Sequence, residues 1–157
     1  MIVHFPIALL IIGFLTDLTG LFIKREFLNQ TGFYLLILGA LGTVAALLSG
    51  EQAGEGIVEA GALKQAIEMH EEAAELAVWL VGIAAVVRIL LVILKKYTGV
   101  LKIAALALFM VSVGAIARTG YYGGKLVYEH AAGVQFNLGF QGSDFSSAPE
   151  SEDEDED

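Results

Sequence analysis

The sequence contains three histidines, His4, His70 and His130, whose side chains are the ones best suited to chemistry. Neutral imidazole binds iron, copper and zinc, and two imidazoles can serve as the axial ligands of a b-type haem. Arg118 and Lys125 are cations that could meet the haem propionates. The histidines therefore predict a haem site or, with the same donors, a copper or zinc site.

Two alternatives to a haem site remain open. The chain has no HxH, HxxxH or HExxH spacing, which makes copper or zinc the weaker metal hypothesis. Each histidine could instead lie at a membrane boundary, where amphipathic side chains place an apolar body in lipid and a polar tip in water. The protein would then be a structural or accessory subunit without a cofactor.

Asp17 and Arg88 are charged residues that lie well inside long apolar runs. A single charge in the hydrocarbon region is costly, so charged residues there usually pair with one another. We expect these two side chains to form an ion pair in the bundle interior. A pair that fixes helix register is favoured over a proton or ion path, because the interior offers few other titratable groups.

The composition identifies a membrane protein. Of 157 residues, 56% are hydrophobic, and the mean hydropathy is +0.69, well above the usual values for a soluble domain. There is no cysteine, which excludes disulfides, cysteine-bound iron–sulfur clusters and c-type haem attachment within this chain. The sequence has no cysteine or GxSxG nucleophile and no paired carboxylates within a span, so we do not expect an enzyme.

Four apolar runs predict an all-α bundle of four transmembrane helices. They cover about residues 5–23, 31–49, 73–94 and 100–118. Before the third run, glutamates lie opposite a stripe of mostly apolar residues that includes Ile57 and Ala60, which predicts an external amphipathic helix continuous with that span. Residues 1–134 then form one membrane domain, and the acidic segment 135–157 is expected to be disordered.

Small residues mark the face of each span that is expected to point inward, as is common where membrane helices pack closely. In the first span this face carries Gly13, Asp17 and Gly20. In the others it is formed by Gly39, Gly42, Ala46 and Ser49; by His70, Ala74, Ala77, Val81 and Arg88; and by Ala104, Ala107, Val111, Gly114 and Arg118.

Basic residues flank the two short loops, at Lys24–Arg25 and Lys95–Lys96, which predicts that these loops are cytoplasmic. Both termini and all three histidines would then lie on the outer side of a plasma membrane, or an inner membrane in a bacterium. The formal net charge of −9 comes largely from the last eight residues, of which seven are acidic. This tail could attract a basic soluble partner such as a cytochrome, whereas nothing favours nucleic acid.

Several segments resemble the family of predicted membrane proteins known as domain of unknown function 2231. They are VHFPIALL, LSGEQAGE, the histidine of EMHEE, Arg88 and GGKLVYEHAAGV, and the resemblance spans nearly all of the chain except the acidic tail. It implies a four-helix membrane domain of unsettled function that is sometimes joined to cytochrome-c-like or Rieske-like domains. These associations suggest electron transfer.

These observations together predict a small b-type cytochrome-like protein embedded in lipid. It would hold one haem through two of the three histidines, with His4 and His70 preferred because both begin inward-facing helices. It would pass electrons between a membrane donor and an external acceptor. A homo-oligomer is also compatible with the sequence.

Overall fold

The computed structural model describes residues 4–23, 25–54 and 62–130, with the backbone alone for 51–54, 62 and 130. These residues form four α-helices and no strand: α1 (His4–Ile23), α2 (Glu26–Gly54), α3 (Ala62–Ile93) and α4 (Gly99–His130). Each helix contains a segment long and apolar enough to cross a membrane. The predicted all-α architecture with four candidate spans is confirmed for this part of the chain.

The helix ends follow from local sequence. Pro6 lies in the first turn of α1, where its missing N–H removes no helical hydrogen bond. At the end of α3, Lys95 adopts a left-handed φ of 54°. The amides of Lys95 and Lys96 donate to the carbonyls of Val92 (3.0 Å) and Leu91 (2.8 Å). This is the Schellman arrangement, which satisfies the last carbonyls of a helix and reverses the chain.

Consecutive helices form two antiparallel hairpins, α1 with α2 and α3 with α4, and the hairpins join through contacts of α2 with α3 and of α1 with α4. His4 and His70 lie toward the same end of this bundle as the last turns of α2 and α4, and we call this the histidine end. Asp17 and Arg88 lie near the short turns at the opposite end, which we call the arginine end.

The bundle places its bulky apolar residues mainly outside. Trp79 is 68% exposed, and other large side chains on all four helices face outward with it. The core is small by comparison and centres on Leu10, Leu36, Val81 and Phe109, packed against alanines of α3. A surface of this kind is stable when lipid, rather than water, surrounds it.

The inward face predicted for α4 was wrong. Gly114 and Arg118, with the other residues of that stripe, are exposed, and the buried residues of α4 are instead Ala105, Leu106, Phe109, Ser112 and Ile116. The physical reason is that larger side chains fill the space between α4 and its neighbours. Phe109 packs edge-to-face on Phe14 of α1, with 5.8 Å between the ring centroids, and the Ser112 hydroxyl donates to the carbonyl of Leu80 on α3.

The glutamate-rich region before the third span is helical where the structure describes it. α3 is one helix from Ala62, about 48 Å long at 1.5 Å per residue, which exceeds the roughly 30 Å hydrocarbon thickness. Glu68 and Glu72 are exposed, whereas Ile67 is half-buried. The stripe positions Ile57 and Ala60, and the predicted disordered tail 135–157, lie outside the described residues. The GGKLVYEH segment continues α4 without a break.

Candidate functional site

His70 is held between α3 and α4 by a hydrogen bond to the opposite backbone. Its Nδ1 lies 3.2 Å from the carbonyl oxygen of Thr119, and the side chain is half-buried. A carbonyl oxygen only accepts hydrogen bonds, so Nδ1 must carry the proton in this contact. In the neutral ring, Nε2 then keeps its lone pair and can bind a metal or accept another hydrogen bond.

Gly123 allows the imidazole to approach α4 closely. A Cβ atom at this position would lie 3.2 Å from Cε1 of His70 and 3.5 Å from Nδ1. The ring therefore occupies space that a side chain on α4 would contest. This contact joins two of the segments noted in the sequence, EMHEE on α3 and GGKLVYEH on α4.

Two hydroxyl groups of α4 bridge to α3 below His70. The Thr119 hydroxyl donates to the carbonyl of Ala73 at 2.8 Å, and the Ser112 hydroxyl donates to the carbonyl of Leu80 at 3.0 Å. Both hydroxyls also lie within hydrogen-bond distance of carbonyls of their own helix. Neither residue was predicted from the sequence, although their seven-residue spacing places them on one face of α4.

His4 lies at the start of α1, at the histidine end of the bundle. His4 is exposed at the first residue of α1, whereas Pro6, two residues later and about 200° around the helix, is buried. The side chain of His4 therefore points away from the face of α1 that packs on its neighbours. His130 is the last residue of α4, and its side chain lies outside the described part of the structure.

The two cations expected beside a haem interact within their own helix. Arg118 is exposed, with its guanidinium 5.5 Å from the centroid of the Tyr122 ring. Lys125 lies 3.5 Å from a carboxylate oxygen of Glu129. Within the described residues, no three or more His, Asp or Glu side chains are grouped so that they could hold a metal ion. His70 is thus the one predicted ligand that the described interior positions.

The expected pair of Asp17 and Arg88 forms at the arginine end. Nη2 of Arg88 donates to Oδ1 of Asp17 at 3.0 Å and to the backbone carbonyl of Asn29 at 2.9 Å. Asp17 is 2% exposed and Arg88 is 3% exposed. The pair therefore links α1 to α3 through the core. The hydrogen bond to Asn29 also connects Arg88 to the first turn of α2.

Tyr97 and Lys102 complete this polar cluster, and neither was predicted to belong to it. The Tyr97 ring lies against the guanidinium of Arg88, with 3.2 Å between Cζ and the ring centroid. Its hydroxyl is 3.4 Å from Oδ2 of Asp17. Lys102 donates from Nζ to the carbonyl of Gly20 at 3.3 Å. The sequence did contain a signal for these two residues: a tyrosine directly after the third span and a lysine in the first turn of the fourth.

Glycines on α1 and α2 let the helices approach closely enough to bury this cluster. A Cβ atom on Gly32 would lie 2.7 Å from Cγ of Asp17, and one on Gly20 would lie 2.7 Å from Oδ1 of Asn29. Distances this short are incompatible with any side chain unless a neighbour moves. The buried carboxylate therefore depends on backbone, and not side chain, facing it from α2.

The arrangement separates the candidate chemistry into two places. The histidine end offers one positioned imidazole, and the arginine end offers a buried ion pair under a tyrosine. No curated protein and no solved structure matches the chain. A family model does match, over residues 1–136. The chain belongs to the family described as predicted membrane protein, domain of unknown function 2231.

Proposed function

We propose that this membrane protein binds one b-type haem at the histidine end, where Nε2 of His70 would hold it, and serves in electron transfer. The observation that carries the proposal is the contact between His70 Nδ1 and the carbonyl of Thr119. Histidines that bind metals almost always donate their other ring N–H to a carbonyl or carboxylate, which fixes the tautomer and the ring orientation.

The surroundings of His70 are small, which suits a bulky planar group. Ala73 and Ala77 follow it along the buried face of α3, and Gly123 is its neighbour on α4. A four-helix bundle commonly binds cofactors between facing helices. When bound, the haem would supply a one-electron redox couple, while His70, Thr119 and Gly123 would hold and orient it.

The second histidine to hold the haem would be His130 in preference to His4. His130 ends α4 seven residues beyond Gly123, which is about 10 Å along the helix axis. His4 is exposed on the side of α1 opposite buried Pro6. His70 would therefore be the anchoring residue, and exposed His4 the less favoured of the predicted ligands.

Haem titration into the purified protein tests this proposal. The wild type is expected to take up one equivalent and develop a sharpened Soret band, because an imidazole nitrogen binds the iron. His70→Ala is expected to lose that band, whereas His4→Ala is expected to keep it. An unshifted spectrum of free haem with the wild type would overturn the proposal, as would an unchanged band in His70→Ala.

A second candidate is a structural or accessory subunit without a cofactor. It is favoured by the way the His70 contact joins the Thr119 and Ser112 bridges as a set of polar links between α3 and α4. Haem analysis and elemental analysis of protein purified without additives separate the candidates. Haem iron supports the cytochrome, copper or zinc supports a metal-binding protein, and neither supports the accessory subunit.

Electron transfer would require a partner, and the acidic residues near the C-terminus are suited to a basic one. Residues 150–157 contain seven carboxylates. Salt screens the attraction between charges on two separate proteins, with a Debye length of about 8 Å at physiological ionic strength. We expect association with a basic soluble cytochrome to weaken steeply with salt and to be lost when residues 150–157 are removed.

A further inference from the structure

Positive charge is concentrated at the arginine end of the bundle. Among the side chains that the structure describes, five cations and two carboxylates lie there: Arg25, Arg88, Lys95, Lys96 and Lys102 against Asp17 and Glu26. The described part of the histidine end has the opposite balance, with five glutamates against three cations: Glu68, Glu71, Glu72, Glu75 and Glu129 against Lys64, Arg118 and Lys125. The arginine end is therefore the end suited to an anionic partner.

Three of these cations lie around the turn between α3 and α4. Lys95 and Lys96 directly precede Tyr97 in the chain, and both are exposed. Lys102 lies in the first turn of α4, with Nζ 5.7 Å from the centroid of the Tyr97 ring. Because Tyr97 is stacked on buried Arg88, the turn that carries these lysines is fixed on the end of the bundle. We call Lys95, Lys96 and Lys102 the lysine cluster.

The ammonium groups of the lysine cluster keep donors for a further partner. Within the described residues, those of Lys95 and Lys96 make no ion pair and no hydrogen bond. Lys102 is half-buried and donates one hydrogen bond, at 3.3 Å, to the neutral carbonyl of Gly20 on α1. An ammonium has three N–H donors, so the cluster can offer several to one anionic group.

Large apolar side chains are exposed between and beside these lysines. Val100 is 80% exposed, and Leu101 and Ile103 on α4 and Ile93 and Leu94 at the end of α3 are exposed with it. A partner that contacts the whole surface must therefore combine an anionic group with hydrocarbon. This combination favours a lipid over a free phosphate ion or the polar surface of a water-soluble protein.

We propose that the lysine cluster binds the phosphate of an anionic phospholipid, of the phosphatidylglycerol class, while the acyl chains lie along the exposed apolar residues beside it. Basic sites between transmembrane helices are a known way of binding anionic headgroups. Lys102 is the anchoring residue, because its hydrogen bond to Gly20 places the ammonium between α4 and α1. Phosphatidylcholine has the same phosphate, but the positive charge of its choline is repelled by the lysines.

Native mass spectrometry of the purified full chain in a neutral detergent tests this proposal. Dioleoyl phosphatidylglycerol and dioleoyl phosphatidylcholine are titrated separately at the same ionic strength. We expect the anionic lipid to bind at least about tenfold more tightly, which is the equivalent of 1.4 kcal/mol. Glycerol phosphate, which lacks acyl chains, is expected not to bind at the same concentrations.

Variants assign the binding to the lysine cluster. Each lysine removed is expected to weaken binding of phosphatidylglycerol about fivefold, both in Lys102→Gln and in Lys95→Asn combined with Lys96→Gln. Asparagine is chosen because it tolerates the left-handed φ of 54° at residue 95. Lys102→Arg keeps the charge and is expected to bind as the wild type does. Lys64→Gln removes an exposed lysine at the histidine end and is the matched control.

Three results would overturn the proposal. The first is equal binding of phosphatidylglycerol and phosphatidylcholine by the wild type. The second is wild-type binding of phosphatidylglycerol in Lys102→Gln and in the variant that lacks Lys95 and Lys96. The third is equally tight binding of glycerol phosphate, which would identify a water-soluble phosphate ligand. None of these results depends on haem binding at the histidine end.

Discussion

The ring of Tyr97 lies face to face with the guanidinium of Arg88, with 3.2 Å between Cζ and the ring centroid. Tyr97 lies in the turn between α3 and α4, so this turn folds back over a charge buried in the bundle. The aromatic face is the negative side of the ring and attracts the cation. A loop residue thereby covers the ion pair that links α1 and α3.

Replacing Tyr97 measures the strength of this stacking contact. Tyr97→Ala is expected to lower the free energy of unfolding by about 2 kcal/mol, since a desolvated cation–π contact and ring burial are both lost. Tyr97→Phe keeps the ring and loses only the 3.4 Å hydrogen bond to Asp17, so it should cost less than about 1 kcal/mol. Unfolding in mixed micelles gives both values, and equal losses in the two variants would contradict the stacking.

Breaking the ion pair should be far more damaging than removing it. Asp17→Asn leaves Arg88 buried without its carboxylate, and the expected loss of unfolding free energy is about 3–5 kcal/mol. Asp17→Leu combined with Arg88→Met removes both charges, so most of that loss should be recovered. The comparison is made by the same unfolding measurement in mixed micelles.

An exposed pair provides the control for this experiment. Lys64 and Glu68 are 3.9 Å apart on the surface of α3, and Lys64→Ala should change the unfolding free energy by less than about 0.5 kcal/mol, after allowing for solvent screening. If Asp17→Asn were as mild as Lys64→Ala, the buried pair would not stabilise the fold.

The glycines at helix contacts should tolerate no methyl group. In Gly39→Ala the new Cβ would lie 2.6 Å from Cγ of Leu10, and in Gly32→Ala it would lie 2.7 Å from Cγ of Asp17. Each change is expected to cost about 1–3 kcal/mol through overpacking. Gly82→Ala is the matched control, because nothing lies within 4 Å of the position that its methyl group would take. Gly82→Ala should leave the free energy of unfolding unchanged or raise it by up to about 1 kcal/mol. A similar loss of unfolding free energy in all three variants would contradict close packing at Gly32 and Gly39.

Charge and hydropathy were enough to predict the helices and the buried pair. Four long apolar runs require four helices, and Asp17 and Arg88, at similar depths in two of them, had few other partners. This inference works because an isolated charge in lipid is costly, so the chemistry leaves few alternatives. The same physics does not say which other polar groups join the pair.

Side-chain direction is where sequence reasoning failed. The small residues of α4 were expected to face inward, but Phe109, Ser112 and Ile116 do so instead, with Phe109 packed on Phe14 of α1. Which face of a helix is buried depends on its partner helices as well as on its own sequence. Tyr97 was missed for a related reason, since its contact with Arg88 depends on how the α3–α4 turn folds back.

At the histidine end, too, the sequence predicted a residue but not its contacts. Residue type and position made His70 a candidate, but its hydrogen-bond partner is a backbone carbonyl, which every residue possesses. Only the packing of α3 on α4 identifies Thr119 as that partner and Gly123 as the residue that makes space. The pairing of His4 with His70 at one haem stays a prediction, and His4 is exposed at the first residue of α1.

The most direct test of the proposed haem site is chemical rescue of His70→Gly. The variant removes the imidazole and leaves a space that free imidazole can enter, so the measurement is the Soret spectrum of the haem-loaded variant with and without imidazole. We expect the wild-type band to be lost in His70→Gly and restored by millimolar imidazole, with His4→Gly unaffected. A wild-type spectrum in His70→Gly before imidazole is added would contradict the assignment of His70 as the axial ligand.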